Sequence, residues 1–182
     1  DINDDFGKAT ELFLGYADKC AGSQLYMNDA VEFAALYLAE LADRHYEKAL
    51  EKGRGAKAEV AKAVEILEVV DKLLATHPDY SLRLWVDYAR TYGQTDAQKN
   101  SYEANAKRLI TTWGGWQEDY AARFWAGLIG DYYIPRIKMY FSDKASGLDQ
   151  WEEDWIMTPW TGVETSYENP VETALEIIRK NR

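Results

Sequence analysis

A chain of 182 residues and 20.9 kDa is the size of one domain, and at that mass roughly 70% of the unfolded surface is buried on folding, so the core needs neither disulfide nor metal. The composition is 47% hydrophobic and 14% aromatic with only 4 Pro, which excludes a disordered or collagen-like chain and disfavours a sandwich of many short strands. A formal net charge of −10 without any run of Lys and Arg argues against nucleic acid or an acidic membrane surface as partner, and no stretch of 18 apolar residues is present to cross a bilayer.

In chain order, the sequence opens on Asp1 with no Met and no signal peptide, and so reads as a piece of something longer. Cys20 has no cysteine partner and sits among apolar neighbours on a helical pattern, which reads as core rather than reactive thiol. Leu38, Leu41, Ala42, His45, Tyr46 and Ala49 then form a stripe at helical period, flanked by Glu40, Asp43, Arg44 and Lys48. Gly53-Arg54-Gly55 predicts the turn of an antiparallel hairpin. The second arm carries Val60, Val64, Leu67 and Leu74, with Asp71 as one polar intruder, and stops at His77-Pro78-Asp79 because a residue before proline is pushed out of the α region.

Ser81 is placed to cap a third stripe of Leu82, Trp85, Val86, Ala89 and Tyr92, and Gly93 to end it. Thr95 and Gln98 make a capping-box pattern ahead of a fourth stripe, Tyr102, Ala106, Leu109 and Trp113. Pro135 inside a later helical pattern predicts a kink near Asp131 and Tyr132. Asn169-Pro170-Val171-Glu172 is a helix start. The expectation is one bundle-like all-α domain over residues 1–182, with seven or eight helices and an irregular stretch at 158–168. Six of the 7 Trp lie between Trp113 and Trp160, so the C-terminal half is the aromatic one.

Several chemistries are missing. No Glu-x-x-His, His-Glu-x-x-His, Cys-x-x-Cys, phosphate-binding Gly-Lys-Ser/Thr loop or Gly-x-Ser-x-Gly elbow occurs, and no metal or cofactor is expected. His45 lies on an apolar stripe and reads as a core or boundary residue; His77 sits at a helix end, where a cation favours the dipole. Glu118-Asp119 and Glu152-Glu153-Asp154 adjoin tryptophans, as acid and base pairs in glycosidases adjoin aromatic platforms, but adjacent acids on one helix point in different directions. In Trp113-Gly114-Gly115-Trp116 the glycines permit a sharp turn that holds two indoles where they either stack on a sugar or plug a core.

The stretch Asn105-Ala-Lys-Arg-Leu-Ile-Thr-Thr-Trp-Gly114, followed by Asp119-Tyr-Ala121, Trp125-Ala-Gly-Leu128 and Asp131-Tyr-Tyr-Ile-Pro-Arg136, resembles the C-terminal helical domain of the α-N-acetylglucosaminidases, glycoside hydrolase family 89. The motifs span about thirty residues; the first 77 fit the family's helical packing without a motif of their own. The resemblance implies a catalytic barrel ahead of this domain, carrying two glutamates that remove terminal α-linked N-acetylglucosamine with retention, while the helical domain packs on the barrel and borders the cleft. This chain lacks strand–helix alternation, so alone it is expected to be inactive.

Carried over by motif, Trp113, Asp119 and Tyr120 are expected at the substrate, with Trp113 best placed to line the cleft. Trp116 is added to them, although the family's loop differs in length there. Pro135 and Arg136 are expected to be structural, with Arg136 pairing with Asp119 or Asp131. The expected partners are the catalytic barrel of the same polypeptide and an N-acetylglucosaminide glycan. An exposed aromatic patch should mark the docking face. Without an Asn-x-Ser/Thr site the parent is expected to be a bacterial exported enzyme rather than a lysosomal one. Two other readings stay open: an independent helical module binding a glycan or a protein helix, and a domain whose aromatics are simply core.

Overall fold

The longest element of the computed structural model is a 29-residue helix, α3 (Gln24–Lys52), about 43 Å long at 1.5 Å per residue. The structure describes residues 2–20, 22–113 and 121–181. Ser23 starts α3 by accepting the Tyr26 N–H on its hydroxyl, and Gly53, at a φ of 64° that favours glycine, ends it. The chain then returns through Gly53–Gly55 as α4 (Lys57–Leu74), the hairpin expected from the two glycines. Both arms bury alanines (Ala34, Ala35 and Ala42 on α3, Ala63 on α4), small side chains that permit close helix packing.

Helix α1 (Ile2–Leu14), the short α2 (Ala17–Cys20) and the last helix, α9 (Pro170–Lys180), pack around this hairpin. Leu38, Leu73, Val70, Ala174 and Ile178 form its dry centre, with Cys20 partly buried at its edge. Asn169 precedes α9 as expected, but its side chain makes no capping bond; its carbonyl accepts from the Thr173 N–H and hydroxyl.

A second layer consists of α5 (Leu82–Arg90), α6 (Asp96–Leu109), α7 (Ile134–Tyr140) and α8 (Leu148–Met157). Ser81 caps α5 through the Leu84 N–H, and the Thr95–Gln98 capping box is formed in both directions. Gly93 lies beyond the end of α5, and the reason for glycine is proximity: a Cβ would stand 2.5 Å from the Lys99 nitrogen. Leu82, Val86, Ile110, Leu128, Tyr132 and Trp160 make a separate core, flanked by Trp85, Trp125, Trp151 and Trp155.

The two cores meet at a π-helical turn, Ile129–Tyr133, which leads directly into α7 with Pro135 in its first turn. Ile129 packs into the first core, Leu128 and Tyr132 into the second. The irregularity expected from Pro135 is therefore a π turn ahead of the proline, where the missing N–H disrupts the i to i−4 ladder least. Among the described residues there are nine helices, eight of them with seven residues or more, and no strand. A single parallel bridge, Ser81 to Ala126, ties the start of α5 to the segment before the π turn.

Candidate functional site

Helix α6 carries the segment on which the functional expectation rests, and its buried face differs from the predicted stripe. Ala106 is buried, but Tyr102 and Trp113 are 47% and 45% exposed at the two ends of that stripe. The face turned inward carries Glu103, Ala104, Ala106, Lys107, Ile110 and Thr111, so a buried ion pair occupies its centre. An acid and a base four residues apart read as a solvated face; only their partners on other elements reveal the burial.

Those partners are specific. Glu103 accepts from Arg90 Nη1 at 2.6 Å and from the Trp160 backbone N–H, and Lys107 Nζ lies 3.5 Å from it. Lys107 donates to the carbonyls of Trp155 at 2.9 Å and Thr158 at 2.5 Å, and stands 4.9 Å over the Trp155 ring. Burial pushes the Lys107 ammonium below its usual range, opposed by the adjacent Glu103 carboxylate. The residues after α8 expected to be irregular are thus held as a strap against α6. On its other side Arg83 stacks 4.2 Å over the Trp160 ring and donates to the Gly162 carbonyl at 2.6 Å. Glu164 accepts from the Ser81 hydroxyl at 2.7 Å and the Arg83 N–H at 2.8 Å.

Asp71, the polar intruder on α4, ties the two cores together. Its Oδ1 accepts the N–H groups of Gly127 at 2.8 Å and Gly130 at 3.0 Å, capping the helical turn from outside. Burial raises its carboxyl above the ordinary range, the two N–H bonds pull it back, and the charges of Asp131 and Glu164 add to the rise. Gly127 has a φ of 77°, and a Cβ there would meet Trp160 at 3.0 Å and Glu164 at 3.1 Å.

Of the expected substrate residues, Trp116, Asp119 and Tyr120 lie outside the described residues. Trp113, at the end of α6, is nearly half exposed. The expected exposed patch of C-terminal tryptophans is corrected: Trp160 is buried, Trp151 and Trp155 are partly buried against Tyr132 at ring separations of 5.6 and 4.7 Å, and Trp125 packs on Trp85 at 5.7 Å. The outward aromatics are tyrosines instead. Tyr88 and Tyr92 on and after α5 are 62% and 60% exposed and share a hydroxyl–hydroxyl bond of 2.9 Å, and the Tyr92 ring lies 6.2 Å from that of Tyr102.

Arg136 pairs with buried Glu152, Nε to Oε1 at 2.6 Å, and Tyr132 donates its hydroxyl to the same oxygen at 2.8 Å. Asp131, expected to meet Arg136, accepts the Trp160 indole N–H at 2.7 Å. The triplet Glu152-Glu153-Asp154 is dispersed accordingly: Glu153 forms a two-pronged pair with Arg108, and Asp154 accepts from Gln150. His45 bonds Glu59 across the α3–α4 hairpin at 2.7 Å, and Glu59 is held at about 2 by its bonds to Lys52 and His45. His77 Nδ1 accepts the Asp79 N–H at 3.1 Å, which closes the turn after α4. Among the described residues no group of His, Cys, Asp and Glu could hold a metal ion, and no helix is long and apolar enough to cross a membrane.

A cleft of about 650 Å³ opens between α3, α4 and α7, walled by Tyr46, Leu67, Phe124, Arg136 and Tyr140. Ala122, Arg123 and Phe124 also line it, so its wall is mostly apolar with two arginines, Arg123 and Arg136, and one acid, Asp43.

Comparison with known proteins gives a consistent picture. Residues 2–180 match the family model described as the Alpha-N-acetylglucosaminidase (NAGLU) C-terminal domain. The human alpha-N-acetylglucosaminidase is 31% identical over 144 residues, covering 75% of this chain and 19% of that protein. A family 89 glycoside hydrolase from Clostridium perfringens, solved in complex with 2-acetamido-1,2-dideoxynojirmycin, superimposes with a TM-score of 0.83 at 25% identity. That match covers 98% of this chain and 24% of the other. The Clostridium perfringens enzyme in complex with its substrate GlcNAc-alpha-1,4-galactose gives the same TM-score at 26% identity, over 98% of this chain and 23% of that one. The chain therefore spans about a fifth to a quarter of the length of these relatives.

Proposed function

The chain belongs to the C-terminal domain family of the alpha-N-acetylglucosaminidases, and from that membership we propose that it packs against the catalytic part of an exo-acting enzyme and walls one side of the cleft that removes terminal α-linked N-acetylglucosamine. The observation that carries the reading is the match over residues 2–180 to relatives several times longer. Catalytic carboxylates then reside in the remainder of the polypeptide. Within the described residues, Glu152, Glu153 and Glu103 are all committed to basic partners.

One feature supports a docking role. The ridge of Leu84, Tyr88, Tyr92 and Tyr102 presents large aromatic and aliphatic groups to solvent on the α5–α6 layer, and Trp113, in the turn beyond α6, is also exposed. Amphipathic rings of this kind anchor interfaces because they bury much area for few rotatable bonds.

The test expresses the preceding polypeptide and this chain as separate proteins. The chain alone should not hydrolyse an aryl α-N-acetylglucosaminide, and it should bind the preceding part. Tyr92→Ser should weaken that binding at least tenfold while the circular dichroism of the chain is unchanged. Turnover by the isolated chain would refute the assignment of catalysis elsewhere. Binding unaffected by Tyr92→Ser would refute the choice of face.

A further inference from the structure

Three carboxylates converge on the turn that joins the two cores, and they do so from three different elements. Asp71 reaches from α4 to the Gly127 and Gly130 N–H groups, Asp131 from the π turn to the Trp160 indole, and Glu164 from the strap to Ser81 and Arg83. The approach is close: a Cβ on Gly130 would stand 3.0 Å from Asp71 Oδ2, and one on Gly127 3.1 Å from Glu164 Oε1.

Arg83 meets this group through its backbone N–H, which donates to Glu164, while its guanidinium donates to the Gly162 carbonyl, stacks on Trp160 and lies 3.5 Å from Asp87 on its own helix. Other charges nearby are engaged elsewhere. Lys72, the next residue of α4, lies over the Tyr167 ring at 5.8 Å, and Glu68 on α4 lies 3.9 Å from Lys138 of α7. The three carboxylates are therefore held together by N–H and O–H donors rather than by a cation.

We propose that Asp71, Asp131 and Glu164 form a proton-operated latch, in which one proton taken up at Asp71 on acidification fastens the strap carrying Trp160, Gly162 and Glu164 onto the Gly127–Gly130 turn, and its release on alkalinisation loosens it. Asp71 is the site of uptake because it is half-buried between α4 and the turn, whereas Asp131 is exposed, and burial together with Asp131 and Glu164 raises its carboxyl above the ordinary range. A protonated Asp71 keeps Oδ1 free to accept both glycine N–H groups, while the repulsion on Asp131 and Glu164 falls.

The sign follows from linkage. An acid whose folded-state value is raised binds its proton more tightly in the folded state, so the contact strengthens as pH falls through that raised value and levels off below the unfolded one. Because Trp160 is also held by Glu103, and Thr158 by Lys107, the latch governs the Arg83 end of the strap and leaves the α6 end fixed. The device is independent of whether the ridge on α5 and α6 docks a partner.

Amide hydrogen exchange of Gly127 and Gly130, corrected for intrinsic exchange, tests the latch on this chain from pH 7.5 down to the ordinary aspartate value of about 3.9. Protection should rise on acidification by up to tenfold for each pH unit in which the folded state holds a proton that the unfolded state lacks. Asp71→Asn should abolish that dependence. Should Asp71→Asn not fold, Asp131→Asn and Glu164→Gln each move its midpoint to lower pH, and the Trp160 indole resonance moves with it. Flat protection in the wild type refutes the latch, as does a dependence that persists unchanged in Asp71→Asn or, where that variant does not fold, in both other variants.

Discussion

Replacing Glu103 by Ala removes the acceptor at the centre of the second core and leaves Lys107, 1% exposed, without its carboxylate. Two costs arise. The Lys107 charge remains buried with only the Trp155 and Thr158 carbonyls as partners, and breaking a buried pair from one side costs about 3–5 kcal/mol. The buried Trp160 N–H also loses a charged acceptor, worth about 1–3 kcal/mol, which overlaps with the first cost because both act through the same strap. A net loss of about 4 kcal/mol is expected. In a domain of this size that lowers the melting temperature by roughly 10 °C, readable by circular dichroism at 222 nm together with urea unfolding. Lys107→Met added to Glu103→Ala should recover part of the loss, because the methionine fills a similar volume without the charge. A single-variant loss below about 1 kcal/mol, or a Lys107→Met cost that is equal in both backgrounds, would refute the claim that the pair is a buried, mutually dependent unit.

Gly127→Ala should destabilise the chain by about 1–3 kcal/mol, since it forces an L residue to a φ of 77° against Trp160 and Glu164; thermal melting checks it. Trp113→Ala should cost the chain less than about 2 kcal/mol, against about 3–5 kcal/mol for a fully buried tryptophan, because the side chain is nearly half exposed. In the full-length enzyme the same change should still lower turnover of an aryl α-N-acetylglucosaminide; near-normal turnover there would remove Trp113 from the cleft. Glu59, held at about 2 by Lys52 and His45, contributes stability that is complete above its ordinary range and is lost as pH falls towards 2. Urea midpoints measured from pH 5 to 2.5 should therefore fall more steeply for the wild type than for Glu59→Gln.

The helical plan was legible because its signals are local. Gly53 and Gly55, the Thr95–Gln98 box, Ser81 and Pro135 each act within a few residues of themselves, and each marks an element boundary or irregularity in the structure. Asp71 was visible as an intruder on an apolar stripe, yet its purpose was not, because its partners Gly127 and Gly130 lie 56 and 59 residues away. Glu103 and Lys107 were hidden by the same distance. A face carrying Glu and Lys at i and i+4 looks solvated, and only Arg90 and the strap make it a buried one. The tryptophan cluster was visible in the sequence, but whether its rings face a core or a partner was not. Tyr132 and Trp85 supply the inward ring contacts that composition cannot reveal.

The residues that carry the family resemblance sort by what they touch. Trp125 packs on Trp85, Gly127 lies under Trp160, Asp131 holds the Trp160 indole, and Arg136 holds Glu152 together with Tyr132. All four act at the junction of the two cores, so their spacing encodes architecture. A substitution at Asp131 or Arg136 that abolishes activity would then act through the strap or α8, and it should be accompanied by a fall in melting temperature. Trp113 differs from them in exposure, being nearly half exposed beyond the end of α6. Loss of activity with little loss of stability at Trp113, set against joint loss of both at Asp131 and Arg136, separates contact with the cleft from support of the fold.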